Sequence, residues 1–241
     1  MIPKKIHYCW FGNKPLPKIA NKCIASWKKY CPDYEITEWN ENNFDVNCCN
    51  YTKEAYNAKQ YAFVSDVARL HALINYGGIY MDIDHEILKP IDTFLQYKAF
   101  CGFMADKYIG LGILGSVQNL DILKEYLAQY NNSHFIKENG EFDKTIINVT
   151  FEQLCRKYGF DGNNTFQMIR DISFFPSEYF YPRNPLTQKT KITENTYTMH
   201  HFYSSWYTFK MKFIVVLVKI FGQDFVEKLS KIKNSIIKHV L

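Results

Sequence analysis

The sequence predicts a layered α/β fold, and three observations carry that expectation. Short apolar runs that stop at turn residues alternate with segments of helical amphipathic spacing. The first of these read strand, helix, strand, the unit from which layered sheets are built. The chain has 241 residues, 47% hydrophobic and 22% charged, enough for one substantial core. Aromatic residues reach 17%, more than a core readily absorbs, so some rings are expected to line clefts. AT-rich codon usage, which favours Phe, Tyr, Ile, Lys and Asn, accounts for the same excess.

Taken in order, Ile6 to Phe11 is an apolar run stopping at Gly12-Asn13, a first strand entering a loop. Ligands bind at the C-terminal ends of such strands, and Trp10 lies there. It is either a stacking platform for a base or a core residue. Pro15-Leu16-Pro17 launches a helix through Ile19, Cys23, Ile24 and Trp27, which ends before Pro32. Tyr34 to Trp39 alternates as a second strand, and the Asn-rich Asn40 to Lys53 reads as a loop. This β-α-β opening starts a nucleotide-binding sheet.

The next stretch, Tyr61 to Lys89, organises the chain. Ala62, Val67, Leu70, Leu73 and Ile74 share a helical face, and Gly77-Gly78 fits a helix C-terminus. Asp66 and Arg69, three apart, can act together on one flank; as a surface ion pair they would contribute little. Ile79-Tyr80-Met81 is a buried strand that delivers Asp82 and Asp84 at its exit. Carboxylates two apart on a strand point the same way and can converge on one hard divalent cation. A lone D-x-D is weak; its place after a glycine-terminated helix and an apolar strand strengthens it.

Further along, Ala99 to Met104 reads as a strand. Gly110 to Gly115 is rich in small residues, suited to close approach of a ligand, but lacks the lysine of a P-loop. Leu120 to Tyr130 and Phe142 to Tyr158 read as helices, Phe166 to Phe175 as a strand, and Tyr179 to Pro185 as a candidate acceptor-binding lip. Near the end, Thr198 to Trp206 gathers His200, His201, Ser204 and Trp206. Adjacent histidines offer a nitrogen ligand for the same cation, or a satisfied structural His.

The net charge of +5 is local: from Phe209 onward stand seven lysines and two acids, so the body, 1–208, is neutral. A neutral body argues against a nucleic-acid surface. Residues 209–241 have helical apolar spacing flanked by lysines. They read as basic amphipathic helices that meet a membrane surface or pack on the domain. Seven cysteines form no CxxC pair, which reads as a reduced, cytosolic set. The opening residues lack the apolar region of a signal peptide, and no uncharged run approaches a membrane span.

The opening IPKKIHYCWFGNKPLP and the block SDVARLHALINYGGIYMDIDHEI closely resemble the glycosyltransferase family with a sugar-binding region containing the DXD motif. That family, family 32, includes yeast mannosyltransferases and bacterial capsule enzymes. The likeness covers roughly residues 1–95 and the HHFYSSW segment. A more distant likeness, to the glucosylating domain of large clostridial toxins, shares four features. These are the D-x-x-R helix, the D-x-D sixteen residues after its Asp, an aromatic at the first strand end, and a segment ending S-x-W.

The resemblance implies a GT-A fold over 1–208, a nucleotide-sugar donor and retention of anomeric configuration. Trp10 would stack on the base, and Asp66 and Arg69 would hold the donor sugar. Asp84 would ligate the metal, with Asp82 binding ribose or sugar and reaching the metal. His201, where the toxins have a carboxylate, would complete the shell, and Ser204 and Trp206 would contact the diphosphate. Mn²⁺ is favoured over Mg²⁺ by the nitrogen. The expected donor is a UDP-hexose ahead of GDP-mannose, and the acceptor a saccharide or lipid-linked saccharide in surface polysaccharide synthesis. The expected location is the cytoplasm, peripheral on the inner face of the membrane. An aspartate-nucleophile phosphatase would carry its D-x-D on the first strand. A non-catalytic carbohydrate binder would not need the whole constellation. An effector that glycosylates proteins keeps the chemistry and changes the acceptor.

Overall fold

The structure is a computed structural model that describes residues 1–104, 108–185 and 187–203. Strand β1 (Lys5–Cys9) runs parallel to both β2 (Glu35–Trp39) and β3 (Gly78–Met81), so all three end at one edge of the sheet. Helix α1 (Lys18–Tyr30) connects β1 to β2 and buries Ala20, Cys23 and Trp27. Helices α2 (Asn50–Asn57) and α3 (Tyr61–Tyr76) lead to β3.

The sheet then turns mixed. Strand β6 (Tyr108–Ser116) is antiparallel to β3 and to β5 (Ala99–Met104), β8 (Ile172–Phe175) is parallel to β5, and β7 (Gln167–Ile169) closes the far edge. The seven-stranded order is β2-β1-β3-β6-β5-β8-β7. Strand β4 (His85–Ile87) leaves the sheet and pairs with β9 (Thr198–His200) in a two-stranded ribbon. Helices α4 (Asp121–Ala128), α5 (Ile147–Lys157) and the short α6 (Ser177–Phe180), with 3-10 turns at Asp92–Phe94 and Gln129–Asn132, complete the described elements.

Because side chains alternate along a strand, both faces of the sheet are apolar. Cys9 and Tyr80 enter one buried cluster with α3, α4 and α5; Ile6, Tyr8, Ile79 and Met81 enter another with α1. Many of the excess aromatics fill these two cores. Trp27, Tyr80, Phe100, Phe103, Phe151 and Phe174 are all fully buried.

Four elements differ from expectation for identifiable reasons. Helix α2 begins inside the predicted 40–53 loop, because Tyr51, Thr52 and Ala55 bury one face behind an Asn-rich lead-in. The predicted 142–158 helix starts only at Ile147. Phe142 instead stacks on Phe135 (5.2 Å) and bridges to Ile136 across a turn at Gly140. The predicted 166–175 strand folds into the β7–β8 hairpin through Arg170 and Asp171, both at positive φ. The small residues of β6 make room for rings: a β-carbon on Gly110 would sit 2.4 Å from the Tyr181 ring, and one on Gly115 2.1 Å from Phe100. Tyr181, within the predicted acceptor lip, is therefore buried in the core. The predicted helices of 209–241 lie outside the described residues, as do Ser204 and Trp206.

Candidate active site

Helix α3 packs flat on the sheet and buries both Asp66 and Arg69. They are no surface ion pair. Arg69 Nη2 donates to Asp66 Oδ1 at 3.1 Å and lies 3.5 Å from Asp82 Oδ1, while Nη1 donates to the Leu111 carbonyl at 2.9 Å. Its guanidinium sits 4.3 Å from the centre of the Tyr80 ring. Tyr80 in turn donates its hydroxyl to Asp82 Oδ1 at 3.0 Å. One buried cation thus holds two carboxylates, a carbonyl and an aromatic face in fixed relation, the use to which a guanidinium is best suited.

The two carboxylates respond differently. Burial pushes Asp66 up to about 7, with Arg69 opposing and Asp82 adding to the rise. Burial also acts on Asp82, but Arg69 and His200 outweigh it and hold the group well below the usual carboxylate range. Asp82 keeps 30% of its side chain exposed against 9% for Asp66, so Asp82 is the one that faces solvent.

Beyond Met81 the ladder continues for one residue, Asp82 N–H donating to the Gly112 carbonyl at 2.8 Å. His85 N–H then donates back to the Asp82 carbonyl at 2.9 Å, closing a tight turn that presents Asp84. Pairing of β4 with β9 sets His85 opposite His200. His200 Nε2 consequently lies 3.2 Å from Asp84 Oδ1 and 3.5 Å from Asp82 Oδ2. The other oxygen of Asp84 accepts the Tyr203 N–H at 2.7 Å, and its carbonyl accepts the His201 N–H at 2.9 Å. Gly112 faces this group; a β-carbon there would stand 2.9 Å from both Asp82 Oδ2 and His200 Cδ2. Burial would lower the His200 pKa, but the two carboxylates raise it to about 10. Burial would raise Asp84, yet His200 and the Tyr203 N–H keep it low.

Donor atoms of Asp82, Asp84 and His200 all lie within 4.8 Å of one another. Two carboxylate oxygens and an imidazole nitrogen fit a divalent cation, and Gly112 leaves space beside them. The nitrogen expected here was that of His201, and the structure places it elsewhere. His201 Nε2 meets Glu86 Oε2 at 2.7 Å, and Glu86 is paired with Lys22 at 2.8 Å. His201 lies just past the end of β9, and its imidazole is turned to Glu86 while that of His200 meets the carboxylates. Register with β4 selects His200.

Trp10 stands just past β1, half-buried, its backbone N–H on the Trp39 carbonyl (2.9 Å) and its ring N–H on the Lys14 carbonyl (2.5 Å). From the sequence, Tyr80 and Glu86 have no assigned role in the site, Gly112 lies within the small-residue segment Gly110 to Gly115, and His200 is one of two adjacent histidines, His201 being the expected ligand. Strand alternation alone places Tyr80 beside Asp82, two residues on, so that neighbour was there to be read.

Residues 17–101 match the family described as the glycosyltransferase sugar-binding region containing the DXD motif. The chain is a glycosyltransferase. It is similar to an uncharacterised glycosyltransferase, L373, of Acanthamoeba polyphaga mimivirus, 28% identical over 86% of this chain and 84% of the relative. It is also similar to inositol phosphoceramide mannosyltransferase 3 of Schizosaccharomyces pombe, 28% identical over 47% of this chain but only 33% of the relative. Among solved structures, PaToxG glycosyltransferase aligns with a TM-score of 0.48 and 21% identity, over 65% of this chain and 69% of that one. The matched region of this glycosyltransferase supplies Asp66, Arg69, Asp82 and Asp84, whereas Trp10 and His200 come from outside it. The mixed seven-stranded sheet with the DXD at the exit of its third strand is the layered α/β architecture expected from the sequence. Such an enzyme has a sugar donor and a saccharide acceptor.

Proposed function

We propose that this glycosyltransferase moves a hexose from a nucleotide sugar to a saccharide or lipid-linked saccharide, with metal dependence and retention at the anomeric carbon. The observation that carries the reading is the convergence of Asp82, Asp84 and His200 at the strand edge, with Arg69 fixed behind them. These three residues would hold Mn²⁺ or Mg²⁺, the nitrogen favouring the former. Bound there, the cation would stabilise negative charge on the departing diphosphate. The bond from the anomeric carbon to the diphosphate oxygen breaks, and a bond to an acceptor hydroxyl oxygen replaces it, the hydroxyl proton being released.

The chain's own residues set up this transfer. Arg69 fixes the Asp66 and Asp82 carboxylates, which are the groups placed to accept hydroxyl hydrogens of the donor. Trp10 stacks on the base. By the likeness to toxin domains, Ser204 and Trp206 meet the diphosphate. No side chain is assigned as a nucleophile. A UDP-hexose is the first donor to test. GDP-mannose is the second, because a yeast relative is named for mannosyl transfer to inositol phosphoceramide. That name and the basic 209–241 segment also favour a lipid-linked acceptor at the inner face of a membrane.

The test is a screen of UDP-hexoses and GDP-mannose for Mn²⁺-dependent turnover, wild type against Asp84→Ala. The variant should lose about 10²-fold or more while its near-UV circular dichroism is unchanged. Full turnover of a folded Asp84→Ala at saturating donor removes the site assignment.

A further inference from the structure

We propose that Glu41 is a positioning residue for the donor's nucleoside, a role that rests on the nucleotide-sugar reading above. The β1 exit, Trp10-Phe11-Gly12, is anchored along its whole length. Trp10 N–H is bonded to the Trp39 carbonyl at 2.9 Å, and the Phe11 ring is buried edge-on against Phe44, centroids 5.9 Å apart. Gly12 N–H donates to Glu41 Oε1 at 2.6 Å, and the same oxygen accepts the Tyr56 hydroxyl at 3.0 Å. One side-chain oxygen shared by two donors ties the loop to Tyr56 as well as to Glu41.

The other side of Gly12 is closed by Tyr61. A β-carbon on Gly12 would lie 2.3 Å from the Tyr61 ring, and the residue sits at φ +95°, so close approach and conformation both require glycine. The Tyr61 ring also leans on Tyr56, centroids 5.5 Å apart. Tyr61 is the first residue of α3, the helix that carries Asp66 and Arg69. At 1.5 Å rise per residue these stand about 7.5 Å and about 12 Å further along its axis.

The loop that presents Trp10 is therefore clamped between a carboxylate at the exit of β2 and the start of the helix that organises the metal-side carboxylates. The clamp fixes the distance between a base held at Trp10 and a diphosphate held at Asp82 and Asp84. A nucleoside diphosphate has to span that distance. Glu41 touches neither end and acts through the loop.

The test measures binding of UDP, GDP and inorganic pyrophosphate, each with Mn²⁺, by calorimetry. Glu41→Ala should bind the preferred nucleoside diphosphate about tenfold more weakly, with pyrophosphate unchanged, and Glu41→Gln, which keeps an acceptor for Gly12 N–H, should recover most of the loss. Trp10→Ala should show the same pattern, and the double variant should add little to either single one. If Glu41→Ala does not fold, Tyr56→Phe provides the second route, with an expected loss of about threefold. Wild-type affinity in a folded Glu41→Ala, an equal loss for pyrophosphate, or an additive double variant each overturns the inference. If the wild-type protein binds none of the three probes, the nucleotide-sugar reading itself falls and takes this one with it.

Discussion

At the scale of single residues, the site depends on a few contacts of about 3 Å whose removal has separable effects. His200 faces both carboxylates, whereas His201 is engaged with Glu86. His200→Ala should therefore weaken Mn²⁺ binding by about 10–100-fold, while His201→Ala should act only through the Glu86–Lys22 group and change affinity less. Gly112→Ala should resemble His200→Ala, since its methyl would occupy the space between Asp82 and the imidazole. Titration calorimetry with Mn²⁺ alone checks all three, independently of turnover. Equal affinity for the His200→Ala and wild-type proteins would return the nitrogen ligand to an open question. The carboxylates were legible in the sequence because strand alternation and spacing name them. The nitrogen was not, because choosing between adjacent histidines requires the register of β9 on β4, a pairing between segments more than a hundred residues apart.

At the scale of elements, the β-α-β opening, helix α3 and the strand that follows were legible because each is a periodic or apolar run bounded by turn residues, with glycine stops after β1 and after α3. What the sequence hid is how the second stop is held. Gly77 and Gly78 both take positive φ, and a β-carbon on Gly78 would lie 2.8 Å from the Lys5 carbonyl, so the turn into β3 fits tightly against β1. His7 on β1 pins it: Nε2 meets the Gly77 carbonyl at 2.8 Å, and Nδ1 accepts the Trp39 indole N–H at 3.2 Å. These partners select the neutral tautomer with its proton on Nε2, and burial lowers the His7 pKa below its ordinary value. The sign follows. As pH falls through about 6.5, the unfolded chain takes up this proton before the folded one does, so stability drops from there downward. His85, buried and lowered to about 3, adds to the same slope. Asp66 and His200, both raised, act with the opposite sign in either protein, so the difference is the readout: from pH 8 to 5 the urea midpoint of the wild type should fall relative to that of His7→Gln. Parallel slopes would show that the turn is not pH-sensitive through His7.

At the scale of the whole molecule, two cores on opposite faces of one sheet leave its strand ends free to carry chemistry, and the neutral body offers no long-range field to draw an anionic partner. All of the excess charge resides in 209–241, seven lysines against two acids among apolar residues at helical spacing. If this segment brings the enzyme to an anionic surface, attraction should come from lysine charge near lipid headgroups, at about 1 kcal/mol per residue before screening. It should fade once salt shortens the screening length to about 3 Å near 1 M. Protein lacking 209–241 should therefore sediment less with phosphatidylserine vesicles at low salt, and the difference between full-length and truncated protein should shrink as salt rises. Neutral vesicles should capture both proteins poorly, because apolar residues alone lack the electrostatic share of the binding. Identical partition of the two proteins on anionic vesicles at low salt would assign the segment to packing rather than to a membrane. The lipid-linked acceptor would then have to reach the DXD edge from solution.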